Sequence, residues 1–242
     1  MKNSILHRSF PPILSERPSL IYIDPPFNTG KVQKRGNLRY NDRYNNYSDF
    51  IRPFMYEAWK NLAANGSLFF HIDYREAHYC KIELDKIFGR DCFMNEIIWA
   101  YDYGGRSKSR WSAKHDVIFW YVKDPDNFIF NFDEMDRIPY MAPGLVGPKK
   151  AAKGKTPTDV WWHTIVPTNG KEKTGYPTQK PLGVLERIIK VHTNPDDLVV
   201  DFFAGSGTTG EAAAKNGRRF ILIDENIQAV EVMKKRLAQW VI

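Results

Sequence analysis

Residues 198–210 read Leu-Val-Val-Asp-Phe-Phe-Ala-Gly-Ser-Gly-Thr-Thr-Gly, an apolar run that ends on a carboxylate and turns through closely spaced glycines. A short apolar run bounded by such a turn is a buried strand feeding a helix. The glycines let backbone N–H groups approach a ligand at the helix N-terminus. The same logic repeats downstream, where Arg219 to Ile223 forms a strand ending at Asp224, followed by an amphipathic helix from Ile227 to Trp240. Upstream, Leu20-Ile21-Tyr22-Ile23 is a second buried strand, stopped by Asp24-Pro25-Pro26, which cannot continue a hydrogen-bonded ladder.

Between these ends, strands and helices alternate. Apolar positions Ile51, Phe54, Met55, Ala58, Trp59 and Leu62 recur at helical spacing behind Ser48 as cap and run to Asn65-Gly66. Ser67 to Ile72 reads as a strand, Glu76 to Phe88 as a helix closed by Gly89, and Asn95 to Tyr101 and Asp116 to Lys123 as strands. Pro181 opens a helix with Leu182, Leu185, Ile188 and Ile189 on one face. This order predicts a doubly wound parallel sheet. Residues 28–47 are polar and read as a mobile surface segment over whatever Asp24 lines.

The chain has 242 residues, 43% of them hydrophobic, which suits one α/β domain spanning 1–242. Within it, residues 101–176 read as a loop-rich insertion. Two cysteines, Cys80 and Cys92, without a Cys-x-x-Cys pattern give neither a disulfide framework nor a zinc site, so no metal is expected. His71, Asp73 and His78 lack a ligand spacing and read as ordinary polar residues, and His115-Asp116 and Trp161-Trp162-His163 as strand-boundary packing. No apolar run is long enough to span a bilayer, and the first twelve residues do not form a secretory signal, so a cytoplasmic setting is expected. The net charge of +7 and pI near 9.2 favour approach to a polyanion. Basic residues cluster in two places: Arg106, Lys108, Arg110 and Lys114 beside Tyr103 and Trp111, and the run around Lys149 and Lys150. A solvated loop is the ordinary state of such a run, and phosphate contact the alternative.

Gly205-Ser206-Gly207-Thr208-Thr209-Gly210 formally matches a dinucleotide fingerprint, with Asp224 placed to hold ribose hydroxyls. Asp201 argues against NAD, because a carboxylate at the strand tip faces a pyrophosphate unfavourably but suits the cationic end of an amino acid. S-adenosylmethionine has both a ribose and such an end. Asp24-Pro25-Pro26-Phe27 gathers a carboxylate, carbonyls and a flat ring. Asp24 and the Pro25 carbonyl can accept both N–H bonds of an aromatic amine and aim its lone pair. Phe27 offers a stacking face worth about 1–3 kcal/mol, against a base-flipping cost of a few kcal/mol. As a bare tripeptide Asp-Pro-Pro is a turn, so the assignment depends on both motifs meeting at one switch point.

On these motifs, together with Ile23 to Gly30 and Thr178-Gln179-Lys180-Pro181, the chain resembles the beta-group DNA amino-methyltransferases of restriction-modification type. The resemblance implies a class I Rossmann-like doubly wound αβα sandwich, circularly permuted so that the catalytic half precedes the cofactor half. It implies a catalytic pocket of Asp24, Pro25, Pro26 and Phe27. It further implies S-adenosylmethionine held by Asp201, Phe203, Ala204, Gly205, Ser206, Gly207, Thr208 and Asp224, with Thr178 and Lys180 bordering its carboxylate. The implied reaction is methyl transfer to adenine N6 in flipped-out duplex DNA, since cytosine members more often carry Ser at the position of Asp24. The alternatives are an N4-cytosine or RNA amino-methyltransferase, or a catalytically silent DNA-binding subunit. Residues 101–176 become the candidate target recognition region, Arg106, Lys108, Arg110, Lys114, Lys149 and Lys150 its DNA contacts, and a homodimer and a cognate restriction endonuclease the candidate protein partners. Members carry a Gly-Asp pair before the catalytic strand, which residues 1–19 lack.

Overall fold

The computed structural model describes residues 2–167 and 169–241, so the outer bounds Met1 and Ile242 of the expected domain lie outside the described residues. In chain order the elements are β1 (Ser4–His7), β2 (Leu20–Ile23), β3 (Lys31–Arg35), β4 (Leu38–Asp42), α1 (Tyr47–Asn61), β5 (Ser67–Ile72), α2 (Ala77–Phe88), β6 (Phe93–Ala100) and β7 (His115–Val122). There follow α3 (Pro148–Lys153), β8 (Val160–Trp162), α4 (Leu182–His192), β9 (Leu198–Asp201), α5 (Thr208–Lys215), β10 (Arg219–Asp224) and α6 (Ile227–Arg236).

Eight of the strands form one sheet in the order β1-β10-β9-β2-β5-β7-β6-β8. Alternate side chains of each inner strand serve opposite faces, as strand geometry requires. Leu20 and Tyr22 of β2 join the core covered by α4, α5 and α6, whereas Ile21 and Ile23 join the core covered by α1 and α2. The result is the expected αβα sandwich. Because both faces are buried, β2 and β5 are buried at every residue and read as continuous apolar runs rather than alternating ones.

The direction of winding reverses between β9 and β2. From β9 the chain crosses through α5 to β10 on one side, and from β2 through α1 to β5 on the other. Parallel pairing sets Leu20 opposite Val199 and Tyr22 opposite Asp201. Crevices form at the carboxyl ends of strands where the winding reverses, and Asp24 and the glycine turn both emerge there.

Four expectations need correction. The sheet is mixed, because β7 runs antiparallel to both β5 and β6. No helix stands between β6 and β7, and a loop without a crossover can only return the chain antiparallel. Asn46, not Ser48, caps α1 by accepting from the Asp49 amide, and the helix stops at Asn61. Residues 28–47, expected as a mobile surface segment, contain the antiparallel hairpin β3–β4. With only Val32, Leu38 and Tyr40 apolar its strand signal is weak, and it is pinned to the start of α6, where Asn226 Nδ2 donates to the Arg39 carbonyl at 2.9 Å. Residues 101–176 remain mostly irregular yet contribute β8 to the sheet edge, and residues 1–19 contribute β1 at the other edge.

The glycine turn is conformationally demanding. Gly207 caps α5 at φ +76°, and a Cβ there would stand 2.9 Å from Met233 Cγ. A side chain in that conformation costs about 1–2 kcal/mol, and overpacking about 1–3 kcal/mol. Gly207→Ala is therefore expected to lower Tm in a calorimetric scan by about 5–15 °C, taking roughly 2–4 °C per kcal/mol for a chain of this size.

Candidate active site

One cavity at the switch point is lined by Asp24 to Phe27 from the front of the chain and by Asp201 to Ser206, Thr208 and Asp224 from its end. The loop after β2 is held in place by its neighbours. Tyr47 of α1 donates its hydroxyl to the Pro26 carbonyl at 2.6 Å, and Asn28, in the left-handed region at φ 55°, donates to Glu76 at the start of α2 at 2.8 Å. These contacts leave the Asp24 carboxylate turned toward Lys180, whose Nζ donates to Oδ1 at 2.7 Å and to Oδ2 at 2.6 Å. The same ammonium stands 4.7 Å from the centroid of the Phe27 ring.

The glycine turn is fastened by acids. Asp201 accepts from the Phe203 amide at 2.9 Å and the Thr209 hydroxyl at 2.6 Å, and burial pushes its pKa up to about 7. Asp224 accepts from the Gly205 amide and the Asn226 amide, both at 2.8 Å, and burial pushes its pKa up to about 6. Each carboxylate keeps acceptor capacity beyond those bonds. Gly205 has φ +49° and lies so close to Tyr176 that a Cβ would meet the ring at 3.1 Å. Ser206 and Thr208 are buried, and Arg236 donates to both hydroxyls, so these side chains brace the turn. Phe203 packs on Phe54 with ring centroids 4.7 Å apart.

The hairpin roofs this cavity. Tyr40 of β4 stacks on Tyr176 at 6.5 Å and shares a hydrogen bond with the Thr178 hydroxyl at 3.1 Å. Asp42, fully buried, accepts from Thr29 and Gln33 through Oδ2, while its Oδ1 has no partner among the described residues.

His71 belongs to the site, contrary to its reading as an ordinary polar residue. It is wholly buried at the carboxyl end of β5, beside β2. Burial and the nearby acids hold the Tyr22 phenol well above its usual pKa, so Tyr22 O–H donates to His71 Nδ1 at 2.6 Å. His71 Nε2–H then donates to Asp116 Oδ2 at 3.2 Å. Tyr101 donates to the other oxygen of Asp116 at 3.3 Å. The imidazole packs on Phe27 at 5.7 Å, and its Nδ1 is 3.9 Å from Asp24 Oδ1. The signal in the sequence was an imidazole inside a mostly apolar strand adjacent to the one that leads into Asp24. His78 is outside this network, whereas Asp73 pairs with Arg75. The basic candidates do not line the cavity: Arg106, Lys108, Arg110 and Lys114 lie on the exposed loop between β6 and β7, and Lys149 and Lys150 on exposed α3.

An acceptor pocket beside a glycine turn, with an acid at the tip of the next strand, defines an α/β group-transfer enzyme that uses a nucleoside-bearing donor. A family model described as DNA methylase, of the N6/N4 type, matches residues 19–235. The chain is 32% identical to the type II methyltransferase M.HpaI of Haemophilus parainfluenzae, over 90% of this chain and 67% of that one. It is 30% identical to the DNA adenine methyltransferase YhdJ of Escherichia coli strain K12, over 93% of this chain and 78% of that one. Among solved structures, the M1.HpyAVI complex with S-adenosylmethionine superimposes with a TM-score of 0.63 at 25% identity, covering 92% of this chain and 89% of that one. The PvuII cytosine-N4 methyltransferase shares the fold, with a TM-score of 0.66 at 21% identity and coverage of 94% and 81%. The chain belongs to the N6/N4 DNA methylase family, as its motifs suggested, and its cofactor is S-adenosylmethionine.

Two outcomes test this geometry. His71→Phe keeps a ring against Phe27 but leaves the Tyr22 hydroxyl and Asp116 Oδ2 unpaired in the interior, which costs about 1–3 kcal/mol for each such group. The variant is expected to unfold at lower denaturant concentration and to lose at least tenfold in kcat. The raised pKa of Asp201 means that the folded chain retains a proton the unfolded chain releases from about 3.8 upward. This contribution to stability is complete below that value and is lost as pH rises through about 7. Denaturant titrations of Asp201→Asn should therefore show a gain over wild type that grows between pH 5 and pH 8.

Proposed function

We propose that this protein transfers a methyl group from S-adenosylmethionine to the N6 amino group of a flipped-out adenine in duplex DNA. The observation carrying this reading is that the Asp24 tetrad and the Gly205 turn open into one cavity. The residues present suit the cofactor. An uncompensated acceptor on Asp42 and the acids Asp201 and Asp224 favour a ligand with positive charge and hydroxyl donors, while Gly205 admits it close to the backbone. When bound, S-adenosylmethionine supplies an electrophilic methyl on a sulfonium.

The chain's own groups do the remaining work. Asp224 accepts from ribose hydroxyls, and the acids around Asp201 and Asp42 face the ammonium end. Phe27 stacks on the extruded base, and a ring held in this way offsets part of the unstacking cost. Asp24 and the Pro25 carbonyl accept the two N–H bonds of the target amine, which withdraws its lone pair from the ring and aims it at the methyl carbon. These acceptors strengthen as positive charge develops on nitrogen, so they stabilise the transition state more than the ground state. The proton then leaves the methylated nitrogen toward Asp24 or water. His71 positions the pocket by fixing Tyr22 and the ring of Phe27.

The adenine preference is supported by the aspartate at position 24 and by the relative named a DNA adenine methyltransferase. The loop 101–114 carries Arg106, Lys108, Arg110 and Lys114 on the carboxyl edge of the sheet, as a phosphate-contacting surface next to the pocket would require. Residues 101–176 serve as the target recognition region in this reading, with Lys149 and Lys150 as further phosphate contacts. A second copy of the chain and a cognate endonuclease are its protein partners, and the cytoplasm its place of action. Among the described residues no helix is long and apolar enough to cross a membrane.

Long-read sequencing of DNA from cells expressing the chain is expected to report N6-methyladenine in one sequence context. N4-methylcytosine there would replace the adenine assignment, and methyl incorporation into tRNA alone would reject DNA as substrate. Asp24→Asn should lower methyl incorporation into plasmid DNA by at least a thousandfold while the cofactor still binds. Undiminished incorporation would remove Asp24 from the catalytic role.

A further inference from the structure

Lys180 joins the two halves of the site. Its main chain belongs to the cofactor side, where its carbonyl accepts the Thr208 hydroxyl at 3.1 Å. Its side chain belongs to the base side, where the ammonium takes both oxygens of Asp24. There it stands as an amine in the pocket built for an amine: N–H bonds directed at Asp24, and a nitrogen over Phe27 at 4.7 Å. Stacked aromatic rings place their centroids about 4.5–7 Å apart, so this nitrogen lies within the space a stacked base takes.

The cavity is otherwise acidic. Asp24, Asp42, Asp201, Asp224 and Glu225 line it, and the described cations on its wall are Lys180 and Arg8. Arg8 is exposed and belongs to the β1 edge, where its amide donates to the Asp224 carbonyl at 3.0 Å. Lys180 has a side chain only 10% exposed and reaches the deep end. A carboxylate entering beside Thr178 and the Thr208 end of the turn therefore has one buried counter-charge to claim, and Asp24 already holds it.

We propose that Lys180 is an exchange cation, shared between Asp24 and the carboxylate of the cofactor, so that cofactor binding draws it off Asp24 and opens the base pocket. Its absence from Asp24 restores a full-strength acceptor for the incoming amine and clears the face of Phe27. Because coupling between sites is reciprocal, base and cofactor each favour the other's binding, and Asp24 opposes cofactor binding until Lys180 is released. No bond to carbon changes in this step; one ion pair is traded for another.

The inference rests on the methyl-transfer reading of the site proposed above, and the test separates the two. Calorimetric titration of the full chain would use S-adenosylhomocysteine and its decarboxylated counterpart, S-adenosyl-3-thiopropylamine, which keeps the amine and lacks the carboxylate. Asp24→Asn is expected to bind S-adenosylhomocysteine three- to tenfold more tightly than wild type, with no such gain for the decarboxylated probe. Lys180→Met is expected to lose at least tenfold for the carboxylate-bearing probe alone, and in the double variant the gain from Asp24→Asn disappears. An unchanged affinity in Asp24→Asn, equal tightening for both probes, or an unaffected Lys180→Met would overturn the exchange. Failure of wild type to bind either probe would overturn the cofactor assignment itself.

Discussion

The parallel pairing of β2 with β9 is the constraint on which everything else hangs. These strands are distant in sequence, yet their main-chain register sets Tyr22 against Asp201. From that register the loop after β2 and the turn after β9 leave the sheet side by side, at the point where helices pass to opposite faces. Had the strands paired one residue out of register, inward and outward side chains would have exchanged faces on both cores. Such a slip would move Leu20 and Tyr22 into the core packed around Ile21 and Ile23 and take the Tyr22 hydroxyl off His71, so packing and a buried hydrogen bond hold the register that places the site.

Around this join, the buried polar groups other than Asp42 Oδ1 and Arg236 Nη2 have partners among the described residues, and the partners span elements. Tyr22, His71, Asp116 and Tyr101 run from β2 through β5 to β7 and the end of β6. Arg236 of α6 bonds Glu211, Ser206 and Thr208 around the α5 turn. Such networks are rigid when complete and costly when one member is removed. They hold the acceptor and the cofactor turn in fixed relation, and relative placement contributes much of the barrier reduction in a reaction between two bound molecules.

Much of this was legible in the sequence because both decisive motifs are local. Asp24 to Phe27 and Asp201 to Gly207 each follow a buried strand, and each strand announces itself by continuous apolar residues. The hairpin over the cavity was not legible, since Lys31 to Asp42 has only Val32, Leu38 and Tyr40 among polar residues and its stabilising contacts include α6 and Tyr176. The reversed strand β7 escaped for a similar reason: apolar content reports burial and carries no sign of direction. His71 was missed because a histidine on a strand acquires meaning only from its neighbours, and Tyr22 and Asp116 lie 49 and 45 residues away. Lys180 was placed at the cofactor edge by its motif, whereas its side chain reaches across to Asp24.

The order of the two halves along the chain also shapes how the molecule comes into being. As the polypeptide leaves the ribosome, β2 and β5 can pair early, but the other edge of β2 stays bare until β9 is synthesised some 180 residues later, at Val199 opposite Leu20. An exposed apolar edge is adhesive to other chains. The loop that carries Asp24 is thus made first and assembled last. A ribosome that stalls before the final βαβ unit releases a product with no methyl donor site and an unfinished sheet, a natural substrate for chaperones and proteases.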